Sequence, residues 1–265
     1  MSPEFHGMTL EDRGAGLWEI TLTRPDLRNR FDNALQVEFA SALRRLSDDD
    51  SVRAIVLGST GPAFSAGGDF ALMHAAHDDA KVRSATVAAG RELLQAFLDL
   101  RQPIVVAVQG AAIGLGATVA LMCDVVVAAR RAKIADTHVQ IGLVAGDGGC
   151  LVWPHAAGML RAKRHLLTGD PLDAQTAYQL GIVTDLVDEP EQALPCARAI
   201  AERIAALPPL AVQGTKKALN HIAKLRADEV VDVAFDLEEQ TLVSSDLLEG
   251  IAAFQEGRPA SFTGR

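Results

Sequence analysis

Apolar and polar residues alternate over Trp18-Glu19-Ile20-Thr21-Leu22-Thr23, the period of a strand with one buried face. Arg24-Pro25-Asp26 ends that run. From residue 32 to 46 the period lengthens. Leu35, Phe39, Leu43 and Leu46 fall on one helical face, with Asp32 or Asn33 placed to cap it. Residues 52–57 read as a short apolar strand, followed by a Gly/Pro/Ser loop over 59–69. The spacing then predicts a short helix over 70–77 and a long one over 82–100. Ile104-Val105-Val106-Ala107-Val108 is continuously apolar, as a strand covered on both faces must be. A glycine loop over 110–116, a helix over 117–123 and a second buried strand over 125–128 follow.

Strands alternating with helices predict an α/β layered domain. Beyond Pro190 only helical periods remain, over 193–207, 211–225 and 227–242. We therefore expect a core over residues 1–195 and a helical C-terminal region over 196–265.

Composition narrows the function classes. Of 265 residues, 49% are hydrophobic and 22% charged, an ordinary globular balance. The net charge of -9, with Lys and Arg scattered, argues against a nucleic-acid face. The three cysteines, Cys123, Cys150 and Cys196, lie far apart without a CxxC pair, which fits reduced thiols in a cytoplasmic protein. The polar start over residues 1–13 does not read as a secretion signal, and the apolar stretch near 104–127 is too interrupted to span a membrane. His74 and His77 lie three apart on a helix, but no further ligand cluster marks a metal site, and none is expected.

Two glycine-rich segments carry candidate chemistry: Phe64-Ser65-Ala66-Gly67-Gly68-Asp69-Phe70, and Gly110 to Gly116 running out of the apolar strand. Small residues suit places where a ligand approaches the backbone. Gly114-Leu115-Gly116 is not half of a dinucleotide fingerprint, because Val119 stands where the third glycine belongs. These segments occur in one order with Arg24-Pro25, Asn29, Cys123-Asp124, Ile141-Gly142-Leu143, Gly148-Gly149, Leu167-Thr168-Gly169, 177–183 and 249–254. Together they closely resemble the enoyl-CoA hydratase/isomerase (crotonase) family, over nearly the whole chain.

The resemblance implies a spiral of ββα turns, a helical C-terminal region, and a homotrimer or dimer of trimers. It implies an acyl-CoA thioester as substrate, with coenzyme A as part of that substrate and no separate cofactor. By motif position, the backbone N–H groups of Ala66 and Leu115 would form an oxyanion hole. Arg28, Asn29, Ala63, Ser65, Ala66, Asp69, Phe70, Gly114 and Phe254 would bind the coenzyme A portion. Arg28 or Arg30 would face its phosphates, and Arg258 would help complete the site. Asp69 also reads as a helix cap.

The chain departs from the hydratases of that family, which handle water with two glutamates. Thr118 and His138 stand at those positions. Threonine is no general base near neutral pH, whereas histidine is. Asp147, within Gly146-Asp147-Gly148-Gly149, is a candidate acid/base. It lies one residue beyond the place where some family members carry a catalytic aspartate, and a turn role is the alternative. Asp136 is a third acid/base candidate, although it reads more readily as a surface or turn carboxylate. A hydrolase using Ser65, His138 and an aspartate lacks the expected nucleophile elbow. The alternatives are an inert acyl-CoA-binding paralogue, or a CoA-thioester isomerase, decarboxylase or hydrolase rather than a hydratase.

Overall fold

The computed structural model describes residues 5–265. β1 (Met8–Gly14) and β2 (Leu17–Leu22) pair antiparallel, with β1 an exposed edge strand. α1 (Asn33–Asp48) follows, and Asp32 caps it by accepting from Leu35 N–H at 2.8 Å. β3 (Ala54–Ser59) then leads through a loop to α2 (Phe70–Asp78) and α3 (Ala80–Asp99).

From here the chain winds in repeating turns. β4 (Ile104–Val108), β5 (Ala112–Ile113) and α4 (Leu115–Leu121) make one turn. β6 (Val125–Ala129) and β7 (Lys133–Ala135) open the next, closed by α5 (Gly149–Ala157) and α6 (Met159–Leu166). β8 (Leu172–Asp173), α7 (Ala174–Gln179), β9 (Asp185–Val187) and α8 (Pro190–Ala205) complete the spiral. In each turn a long strand joins one sheet and a short strand the other. The large sheet runs β1-β2-β3-β4-β6-β9, parallel after its first pair, and the small one β5-β7-β8. The buried strands β4 and β6 are apolar at every position, and β3 is over its first four residues, as strands covered on both faces by the parallel arrangement must be.

α8 lays Ala193, Ala197, Ala201 and Ala205 on the sheet against Val56, Val105 and Val127. The expected boundary at 195/196 thus falls inside a helix that packs with the core. Beyond it, the two helices predicted over 211–225 and 227–242 are one, α9 (Pro209–Leu242). Nothing in Leu225-Arg226-Ala227-Asp228 breaks a helix; only the apolar stripe shifts there. α10 (Ser245–Glu256) ends the fold. Among the described residues, no helix is long and apolar enough to cross a membrane.

α9 is fastened along its length, and two contacts bear on the site's surroundings. Lys216, buried, donates from Nζ to Asp124 Oδ2 at 2.6 Å and to Gln102 O at 2.8 Å. Further along, α9 passes so close to the turn before α5 that a Cβ on Gly146 would meet Ala234 O, and would lie 2.7 Å from Glu238 Oε2. Gly146→Ala is therefore expected to push α9 outward and to destabilise the protein by about 1–3 kcal/mol. Urea unfolding checks this; an unchanged midpoint would mean the turn yields instead.

Candidate active site

Two loops at strand ends meet beside this helix. Ser65 bridges to Ala112, and Phe31 to Gly68, so residues 65–68 act as an added rung of the small sheet. Gly67 has φ +89°, and a Cβ there would lie 2.6 Å from Ile113 O. Only glycine lets this loop press on the turn between β5 and α4.

That geometry decides which N–H groups are free. Ala66 N–H donates to Arg28 O at 2.9 Å, so it is not the oxyanion donor the motif position implied. The left-handed turn at Gly67 separates the two sides of the loop. Phe31 N–H donates to Gly67 O at 2.7 Å, and in a parallel bridge of that register Gly68 turns its own N–H away from Phe31. Leu115 is the first residue of α4, where a helix leaves the N–H without an internal acceptor. Among the described residues neither the Gly68 nor the Leu115 N–H has an acceptor.

Both residues line an inner cleft with Met73, His138, Asp147 and Glu238. An outer groove of about 340 Å³ is lined by Arg28, Ala63, Ala66, Phe70, Gly114 and Phe254. Gly68, Met73 and His138 border both, so groove and cleft adjoin. Phe254 meets Phe70 edge to face at 5.5 Å, which closes the groove from α10 within one chain.

Three expected groove residues lie elsewhere in the architecture. Asn29 is fully buried; its Oδ1 accepts from Arg24 N–H at 2.9 Å and its Nδ2 donates to Thr60 O at 2.8 Å. It holds the loop rather than a ligand. Ser65, also buried, donates to Asn29 O and accepts from Gly67 N–H, which leaves it no role as a nucleophile. Asp69 caps α2 through Ala71 N–H at 2.7 Å and pairs with Arg30 at 2.7 Å, so Arg30 is not directed at the groove; Arg28 is. Arg258 pairs with Glu249 and Glu256.

The proton-handling groups form a buried row. His138 Nδ1 lies 2.6 Å from Asp136 Oδ1, and Nε2 lies 3.2 Å from Asp147 Oδ2. Asp136 is 1% exposed, not the surface carboxylate that the sequence implied. Burial opposes charge on the ring, but the Asp147 and Asp136 carboxylates outweigh it and hold His138 protonated well above the ordinary imidazole range. The imidazolium thus donates from both nitrogens. Because each nitrogen already faces a carboxylate, the row suits a proton better than a metal, which needs one nitrogen bare. Asp147, which borders the cleft, keeps its second oxygen, Oδ1, buried without a partner among the described residues. Thr118 is buried in α4 and does not border the cleft.

Glu238, from α9, is the residue that sequence reasoning missed. Burial, then the nearby Asp147 carboxylate, push its carboxyl well above the usual carboxylate range, which favours the acid form. The available signal was position: Glu238 interrupts the apolar face formed by Ala234, Phe235 and Leu242. Cys123 is buried, Cys150 and Cys196 half-buried, and all three are free thiols.

The His138 row also sets a stability expectation. Its raised folded pKa means the native state holds a proton that the unfolded chain releases near pH 6.5. The stabilisation is complete below that pH and is lost as pH rises through the folded value. Tm should fall as pH rises above about 6.5, and His138→Gln should flatten that slope. Thermal unfolding of both proteins across pH tests it; parallel slopes would refute it.

A ββα spiral whose strand-end loops frame a cleft, capped by C-terminal helices, is the crotonase fold. Residues 12–265 match the model of the enoyl-CoA hydratase/isomerase family, and the chain belongs to that family. It is 31% identical over 255 residues to 1,2-epoxyphenylacetyl-CoA isomerase of Escherichia coli (strain K12), covering 94% of this chain and 96% of the relative. It is 32% identical over 246 residues to 2,3-dehydroadipyl-CoA hydratase of the same organism, covering 93% and 94%. The crystal structure of an enoyl-CoA hydratase/isomerase from Mycobacterium paratuberculosis superposes with a TM-score of 0.86 at 39% identity, covering 93% of this chain and 97% of that one.

Proposed function

We propose that this enzyme moves protons on an enoyl-CoA thioester and shifts its double bond. The coenzyme A portion lies in the outer groove against Arg28, Phe70 and Phe254, and the acyl portion enters the inner cleft. The N–H groups of Gly68 and Leu115 receive the thioester oxygen and stabilise the charge it gains when the acyl chain loses a proton. Asp147 takes that proton on Oδ1, while the His138 imidazolium fixes its other oxygen. Glu238, as a carboxylic acid, returns a proton at the distal carbon, so the double bond moves without net change in composition, and transfer of the proton from Asp147 to the neighbouring Glu238 carboxylate restores the enzyme. Names of relatives that include both an isomerase and a hydratase support the substrate class.

The observation that carries this reading is the unpartnered oxygen of Asp147, which borders a cleft shared with two free N–H groups. Incubating the protein with 2-enoyl- and 3-enoyl-CoA in deuterated water tests it. The expected result is interconversion with one deuterium gained at an α or γ carbon. Binding without exchange would favour an inert paralogue, and addition of water would favour a hydratase. Exposed Leu160, Leu210, Leu219 and Ile222 support a self-associating protein, which light scattering would show as a mass several times 28.1 kDa.

A further inference from the structure

The inner end of the cleft contains a polar group with no work inside the protein. Gln36, on α1, is 4% exposed, and its side-chain amide makes no hydrogen bond to any described residue. It lines the same cleft as Asp147 and Leu115, and its Oε1 lies 3.6 Å from the space beside Gly90 that a Cβ would fill. The walls around it are Phe31, Val87 and Phe235, so it is an isolated amide in an apolar end. Thr86 also borders this end, but its hydroxyl already donates to Val82 O at 2.9 Å and accepts from Asn33 at 3.1 Å. Neither amide atom is among the unpartnered side-chain atoms shut off from solvent, so the amide opens onto the cleft and is available to a group that enters it.

Resting on the acyl-CoA reading above, we propose that Gln36 selects an acyl group bearing a neutral oxygen function, a ketone or hydroxyl, beyond its reacting carbons. An amide offers two donors and an acceptor, which a carbonyl or hydroxyl oxygen matches. A terminal carboxylate does not fit. The cleft already carries the carboxyl groups of Asp147 and Glu238, and its one cation, His138, lies between Asp136 and Asp147. Arg91 does not line the cleft; it lies over the Phe235 ring, paired with Asp232 and Asp236.

The test is a binding series on the wild-type protein. Hexanoyl-CoA is compared with its analogues carrying an oxo, hydroxyl or carboxyl group at the far end of the chain. The oxo or hydroxyl analogue should bind about 10-fold or more tightly than hexanoyl-CoA, and the carboxyl analogue more weakly than either, because a site built for a hydrogen bond rejects the analogue lacking it. Gln36→Met, close in volume, should erase that preference and improve hexanoyl-CoA binding. Equal or better binding of hexanoyl-CoA by the wild type would overturn this assignment while leaving the acyl-CoA reading intact. Tightest binding of the carboxyl analogue would overturn the neutral-oxygen assignment in the same way. Failure of every thioester to bind would overturn both.

Discussion

Asp147→Asn is expected to lower kcat about 10²–10⁴-fold with thioester affinity little changed. The substitution keeps volume and shape. Its amide oxygen still accepts from His138 Nε2, so the row from Asp136 through His138 stays assembled. What disappears is the bare carboxylate oxygen. The loss is therefore in proton abstraction, and kcat and kcat/KM should fall together. Steady-state kinetics on the substrate that exchanges deuterium would measure it. A variant within a few-fold of wild type would remove Asp147 from the base role and return attention to His138.

Leu115→Pro should have a comparable effect by another route. Proline lacks the N–H, and at the first position of a helix its fixed φ is tolerated. The donor on α4 is thus deleted without breaking the helix. Losing one oxyanion donor raises the barrier by about 3–4 kcal/mol, so kcat should fall about 10²–10³-fold. Leu115→Ala removes the same buried side chain but keeps the donor. If both variants lose equal activity, the leucine side chain matters and the N–H does not.

Much of the spiral could be read from the chain. The alternation at 18–23, the capped helix after Asp32 and the apolar runs at 104–108 and 125–128 all became the elements they predicted. The short strands β5, β7 and β8 escaped notice, because two or three residues leave no period to detect. The site was legible in proportion to its locality. His138 and Asp147 stand within one segment, and the structure brings them together. Ala66 as the donor was misplaced, since backbone direction depends on a positive φ at Gly67 that the motif alone does not orient. Asp136 was misread because a polar residue near a turn gives no sign of burial until its histidine partner folds back on it. Glu238 was missed because it lies about ninety residues from Asp147 along the chain.

The close passage of α9 over Gly146 makes the enzyme's chemistry modular. In the proposed mechanism the two N–H groups that receive the thioester oxygen, and Asp147, come from the spiral, whereas the Glu238 carboxyl comes from the C-terminal helix α9. A protein whose spiral has formed but whose C-terminal helix has not docked would still capture substrate and would be unable to finish the reaction. Turnover therefore reports completion of folding in a way that binding does not. It also gives evolution two independent dials: one helix face can be rewritten to change the fate of the acyl chain while the handle that holds it stays as it is.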